Sequence, residues 1–273
     1  MSHPAKIIKE LGIAPLKKFG QNFLIHNESL RKAVPLVKKD SIILEIGPGL
    51  GAVTEFFYRQ NYNLVLCEKD RKLAEYLSLK YKKIKIYNED FLEIETKIWE
   101  DLNVNVIIGN LPFYITSDII VKIMKEMKFV KSAILGIQKE VAERLLKRKE
   151  SSFAIFVSLM GEIKKISLIS KKSFYPEPDV NAMWIYWERK PMIKDDQINK
   201  MELLLKSLFW GKRKKIIKSL KDNPFLKNSK EPINWIKKIE IEPSNEQIKN
   251  IFSKRPDSLN VIDFIDLLSY LDS

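Results

Sequence analysis

Four strand ends hold the residues of this chain that could do chemistry. The run SIILEI closes on Gly47-Pro48-Gly49-Leu50-Gly51. Glycines there let the backbone turn sharply and approach a ligand, with a nucleotide lying over the N-terminus of the next helix. Glu68 ends the run NLVLCE, where an acid accepts hydrogen bonds from ribose hydroxyls. Asp90 ends IKIYNED and Phe91 follows it. That carboxylate suits the exocyclic amine of an adenine, and the ring can pack on the base. The fourth run, VNVII, leads into Gly109-Asn110-Leu111-Pro112-Phe113-Tyr114. Singly, these features also fit a plain turn, helix caps and a rigid strand-to-helix corner. Three consecutive strands ending in a glycine loop, Glu68 and Asp90 point to a site for an adenosine-containing cofactor.

Two cofactor classes fit the loop. Gly47-x-Gly49-x-x-Ala52 satisfies the dinucleotide fingerprint. Glu45, two residues upstream, would repel a pyrophosphate and favour a cationic sulfonium and ammonium. The turn after the fourth strand separates the classes further, because hydride transfer has no need of it. An exocyclic amine is hard to methylate, since its lone pair is delocalised into the ring. The Asn110 side-chain oxygen and a backbone carbonyl beside Pro112 can accept both N–H groups and aim that lone pair. Proline holds the backbone still, and Phe113 can stack on the base. Positioning does most of the work when the methyl donor is already activated. The residues favour S-adenosylmethionine.

The elements that must position these groups follow from patterning. Of the 273 residues, 45% are hydrophobic, enough for one large core or two domains. Seven apolar runs, SIILEIG, NLVLCEK, IKIYNED, VNVIIGN, SAILGIQ, KKISLIS and AMWIYWE, alternate with amphipathic stretches. That alternation predicts a doubly wound α/β sheet, with the last two runs pairing at its end. Residues 188–197 read as a linker, and helical patterns follow. The expected division is 1–190, including a basic N-terminal segment 1–40, and a small all-α domain 191–273.

Composition excludes other chemistries. One cysteine, Cys67, within an apolar run, rules out an internal disulfide and a Cys-rich zinc site. Only His3 and His26 exist, too few for a His-rich metal centre, so no metal is expected. No long apolar run or secretory leader is visible, which fits a cytoplasmic protein with no membrane span.

In order along the chain, KKFGQNFL, LEIGPGLGAVT, GNLPF, QKEVAERL, FYPEPDV, FWGKRKKIIKSL and RPDSL resemble motifs of the small-subunit ribosomal RNA adenine N6-dimethyltransferases. The resemblance runs nearly end to end. It implies a Rossmann-like class I methyltransferase domain carrying an all-α C-terminal domain. It further implies dimethylation of two adjacent adenosines near the 3′ end of small-subunit rRNA during ribosome biogenesis. By position it assigns Asn22 and Leu24 to the methionine end of the cofactor, with Gly47 beneath it; Gln21 and Gly49 are further candidate cofactor-binding residues. Glu68 is assigned to the ribose, Asp90 and Phe91 to the adenine, and Asn110 with Leu111 and Pro112 to the target amine. Phe113 would stack on the base, with Tyr114 its competitor, and Phe174 would close the other face. Phe113 stands where the family often has Tyr, Ala182 where it usually has Ser, and SSFAIFVSL replaces a Gly-x-Leu-Ser-Val pattern.

The net charge is +13, which suits a polyanionic partner. Lys212, Arg213, Lys214, Lys215 and Lys218 lie in an acid-free stretch; Lys17 and Lys18 form a second basic site. A helix there would put Lys214, Lys218 and Lys221 on one face, with Ile217 and Leu220 turned to a core. The expected partner is small-subunit rRNA or the small ribosomal subunit, approached by a monomer. The alternatives are a macrolide-resistance type methylase of large-subunit rRNA, a non-catalytic RNA-binding or transcription factor on the same fold, and an NAD-dependent oxidoreductase.

Overall fold

The computed structural model describes residues 4–12, 22–148, 151–211, 213–221, 223–227, 235–240 and 243–273. Gln21, Lys17, Lys18, Lys212 and His3 lie outside the described residues. The chain forms two compact units, Met1–Glu143 with Glu162–Arg189, and Arg144–Gly161 with Lys190–Ser273.

In the first unit the elements are α1 (Pro4–Glu10), β1 (Phe23–Leu24), β2 (Ile42–Ile46), α2 (Ala52–Tyr58), β3 (Asn63–Cys67), α3 (Arg71–Lys80), β4 (Lys85–Tyr87), α4 (Lys97–Asp101), β5 (Val106–Asn110), α5 (Thr116–Glu126), β6 (Ser132–Gln138) and α6 (Lys139–Lys147), which runs on past Glu143. Strands β7 (Gly161–Ile169), β8 (Phe174–Tyr175) and β9 (Ala182–Arg189) follow α7 (Ser152–Met160), a helix of the second unit. The seven apolar runs become seven strands in the order β4-β3-β2-β5-β6-β9-β7. Strands β4, β3, β2, β5 and β6 are parallel; β9 runs antiparallel to β6, and β7 lies beyond it at that end of the sheet. Near-continuous apolar strands are expected of a sheet covered on both faces, and Ile43, Leu44, Ile107, Ile108 and Ile134 are fully buried.

One arginine ties the antiparallel end of the sheet to its helical cover. Arg189, the last residue of β9, donates to the carbonyls of Val130, Met124, Ile123 and Met127 at 2.7–3.2 Å. Three of these carbonyls lie at the C-terminus of α5, where helix carbonyls run short of intrahelical donors; that of Met127 also accepts from Val130 N–H at 3.0 Å, and a cation there suits the helix dipole. Its guanidinium further sits 4.9 Å from the Trp187 ring centroid.

The second unit is helical. It contains α7, α8 (Ile198–Trp210), α9 (Ile216–Lys221), α10 (Pro224–Lys227), α11 (Trp235–Glu240), α12 (Glu246–Ser253) and α13 (Val261–Asp272). Helix α7, the SSFAIFVSL segment, is buried along its length from Ala154 to Met160 and packs on α8 and α13. The basic stretch turns out differently from its expected register. Helix α9 starts only at Ile216, so Ile216 and Leu220, one turn apart, are the fully buried pair and Ile217 is partly exposed. Lys214 precedes the helix, while Lys218 and Lys221 share its exposed side.

Replacing Arg189 with Ala removes four hydrogen bonds to backbone carbonyls and should lower the stability of the α/β unit by about 2 kcal/mol. The urea unfolding midpoint checks this, and Arg189→Lys should recover only part of the loss.

Candidate active site

A cavity of ≈ 500 Å³ opens at the carboxyl ends of β2, β3, β4 and β5. Its lining includes Asn22, Leu24, Gly47, Gly49, Glu68, Asp90, Phe91, Asn110, Leu111, Pro112, Phe113 and Tyr114. These are the sequence-derived site residues of the described first unit, with the exception of Phe174. A doubly wound sheet collects ligands at this edge because its helices begin there.

The glycine loop turns through three left-handed residues, Gly47, Gly49 and Gly51, with φ of 63°, 57° and 79°. Glu68 is 6% exposed and its carboxylate is held from two sides: Gly49 N–H donates to Oε2 and Asp70 N–H to Oε1, both at 2.9 Å. Asp70 in turn caps α3 by accepting from Lys72 and Leu73 N–H. Two fixed donors leave each oxygen a lone pair for a ligand hydroxyl.

Asp90 accepts from Leu92 N–H at 2.9 Å and from the Lys69 ammonium at 2.6 Å. Burial pushes its carboxyl up, but Lys69 and the Leu92 N–H outweigh this and hold it below the usual carboxylate range. The loop bearing Asp90 and Phe91 is fixed by a residue that local sequence did not mark. Lys122 of α5 is 8% exposed and donates to the carbonyls of Leu92 and Ile94 at 2.9 and 2.8 Å. Its ammonium lies 5.7 Å from the Phe91 ring centroid. The only hint in the sequence is a lysine among the apolar positions of α5.

Asn110 ends β5 in a crowded corner. A Cβ on Gly109 would stand 2.6 Å from the Ile46 carbonyl oxygen, so the neighbouring strand requires glycine. Gly136, opposite Asn110 on β6, is bare for the same reason: a Cβ would meet the Trp184 ring at 2.9 Å and Asn110 Oδ1 at 3.0 Å. Asn110 Nδ2 donates to the Asn22 carbonyl at 3.3 Å, which sets the orientation of the amide. Its Oδ1 is buried and accepts no hydrogen bond from the described residues. Among buried side-chain atoms in that state, it alone belongs to a residue of the cavity wall. An acceptor in this position costs free energy until a donor arrives.

Phe113 is partly buried and packs on the core that includes Leu24 and Trp184. Tyr114 is 52% exposed at the rim. Phe174 is a different case. It is 2% exposed, pairs with Leu24 across β1 and β8, and belongs to the core rather than the cavity wall. In this conformation it presents no face to a base, because its strand pairs with β1 of the N-terminal motif and its ring packs into the core. Two wall residues, Phe23 and Leu50, are covered from outside by Ile7 and Ile8 of α1.

Glu45 differs from the charge expected of it. It is 1% exposed, and Thr54 Oγ1 donates to it at 2.7 Å. Burial, partly opposed by the Thr54 bonds, pushes its carboxyl up to about 8. It is therefore largely neutral at pH 7 in the free protein and does not act as the standing negative charge its place in the sequence implied. Cys67 is buried, and burial pushes its thiol up to about 12, so it is unreactive.

The donor and acceptor set fits S-adenosylmethionine: a glycine cradle, ordered carboxylates at two strand ends and an open acceptor beside them. Comparison with known proteins identifies the group. The model of the ribosomal RNA adenine dimethylase family matches residues 15–253. The chain belongs to the ribosomal RNA adenine dimethylase family. A ribosomal RNA small subunit methyltransferase A of Malacoplasma penetrans is 38% identical over 213 residues, covering 76% of this chain and 78% of that protein. Its counterpart in Borrelia garinii subsp. bavariensis is 35% identical over 98% of this chain and 92% of its own length. Among solved structures, a dimethyladenosine transferase from Plasmodium falciparum superposes with a TM-score of 0.73 at 23% identity, covering 92% of this chain and 97% of that one. The 23S rRNA methyltransferase ErmE gives 0.63 at 19% identity, covering 92% and 100%. These likenesses confirm the Rossmann-like methyltransferase fold.

The raised Glu45 carboxyl gives this family member a pH signature. A cation bound beside Glu45 favours its ionised form, so binding at pH 7 should release a proton. Affinity for S-adenosylmethionine should rise with pH to about 8 and then level off. Calorimetry in buffers of different ionisation enthalpy reads the release, and Glu45→Gln should abolish it. Stability runs the other way. The folded-state value lies above the ordinary 4.5, so this contribution is complete below 4.5 and is lost as pH rises towards 8.

Proposed function

We propose that this chain dimethylates N6 of two adjacent adenosines near the 3′ end of small-subunit rRNA. The observation that carries the reading is the buried Asn110 Oδ1, without a hydrogen-bond partner among the described residues, on the wall of the ≈ 500 Å³ cavity. The printed names of the relatives, small subunit methyltransferases, support the choice of rRNA.

S-adenosylmethionine, when bound, supplies an activated methyl group. Glu68 would accept from its ribose hydroxyls. Asp90, kept ionised by Lys69, would accept from its adenine amine, with Phe91 against the ring. Asn22 and Leu24, and Gln21 outside the described residues, would hold the methionine end. Asn110 Oδ1 and the Leu111 carbonyl would accept the two hydrogens of the target amine. That arrangement turns the nitrogen lone pair away from the base plane, and the closed corner around Gly109 and Gly136 keeps the acceptors from yielding. Phe113, packed on the core, is the ring chosen to stack on the target base; Tyr114 is 52% exposed at the rim. Once one methyl is in place, a single N–H remains, and one of the two acceptors would hold it for the second transfer. The exposed Arg213, Lys215 and Lys218 of the helical unit, with Lys214, would bind RNA phosphates.

Asn110→Ala should cut methyl transfer from tritiated cofactor to small-subunit rRNA by about 100-fold or more. Cofactor affinity by calorimetry should stay near that of the parent protein. Undiminished transfer would refute the role given to Asn110.

A further inference from the structure

The chain has five tryptophans. Trp99, Trp184, Trp187 and Trp235 are 0–2% exposed, whereas Trp210 is 50% exposed. It is the last residue of α8, directly before the basic turn. A large ring left in water forgoes a substantial burial gain, so its surroundings matter. The chain from Leu203 to Lys221 has no Asp or Glu, and it carries Lys206, Arg213, Lys214, Lys215 and Lys218. The Lys214 ammonium sits 5.1 Å from the Trp210 ring centroid.

The turn after Trp210 is firmly built. The Gly211 carbonyl accepts from Lys214 N–H at 2.7 Å and from Ser219 Oγ at 3.0 Å. Ile216 N–H donates to the Lys254 carbonyl at 2.9 Å, fixing the start of α9. The ring is thus presented from a fixed backbone with a cation against it.

We infer that Trp210 is a stacking platform for an unpaired base of the RNA, set inside the phosphate-binding turn. This deepens the rRNA reading above and rests on it. A base offers a flat π face whatever its identity, and its backbone brings the negative charge that the neighbouring side chains require. An acidic protein would satisfy the lysines without needing the ring. A lipid surface would call for several exposed aliphatic neighbours, whereas the exposed residues described between Leu203 and Lys221, Trp210 apart, are Lys206, Arg213, Lys215, Lys218 and Lys221.

Because the other tryptophans are buried, an aqueous quencher of fluorescence reports chiefly on Trp210. The full-length protein would be titrated with a short single-stranded RNA, a blunt RNA duplex of equal length, and vesicles containing anionic phospholipid. The single strand should quench Trp210 emission and shield it from acrylamide, and the duplex much less. Trp210→Ala should weaken single-strand binding about five-fold or more, and Trp210→Phe should retain most of it. Neither should alter the slope of log affinity against log salt, which Lys218→Ala should reduce. Unchanged affinity in Trp210→Ala, with Trp210 still open to acrylamide, would overturn the stacking role while RNA binding and methyl transfer by the parent protein left the rRNA reading intact. Shielding by vesicles but not by RNA would also overturn it. Failure of the parent protein to bind or methylate any RNA would overturn both.

Discussion

The close approach of three strands at the carboxyl edge of the sheet governs the rest of this structure. Strand β5 runs so near β2 that Gly109 cannot carry a side chain, and β6 leaves Gly136 bare beside Asn110. The consequence is an amide whose nitrogen is tied to Asn22 and whose buried oxygen has no donor among the described residues. A protein interior rarely tolerates such an atom. The cost is tolerable where a ligand makes the missing bond, and it places the acceptor before that ligand arrives. The glycines, the proline and the packed Phe113 are best understood as what prevents this corner from relaxing.

Electrostatics at the same edge follow one rule. Fixed N–H or ammonium donors orient the carboxyl groups at two strand ends: Gly49 and Asp70 hold Glu68, whose carboxyl burial still pushes up, and Leu92 and Lys69 hold Asp90 below the usual range. Glu45 has only the Thr54 side and is buried more deeply, so it goes neutral until a cation is beside it. Lys122 extends the rule to the backbone, holding two loop carbonyls from a helix thirty residues away.

Much of this was legible from residues alone because it is local. Strands buried on both faces must be apolar throughout, so seven runs in the sequence became seven strands. Ligand groups at strand ends could be placed because such a sheet exposes only its ends. What escaped depends on contacts distant in sequence or on solvent exclusion. Lys122 and Arg189 act across about thirty and sixty residues, and nothing near them marks their partners. At Glu45 the residue type implies a charge, and burial opposes it. Phe174 sits in a motif that points to the base, yet its pairing with Leu24 draws it into the core. Residues Arg144–Gly161 precede two strands of the sheet but fold with the helices, because α7 is apolar on every side and needs α8 and α13 to cover it.

The central claim is that this corner presents a small-subunit adenosine for two methyl transfers at one nitrogen. Mass spectrometry of nucleosides from unmethylated small and large ribosomal subunits, each incubated with the protein and S-adenosylmethionine, tests it most directly. The account predicts N6,N6-dimethyladenosine in small-subunit rRNA at two adjacent positions near the 3′ end. Dimethyladenosine confined to large-subunit rRNA, or a product that stops at one methyl, would contradict it.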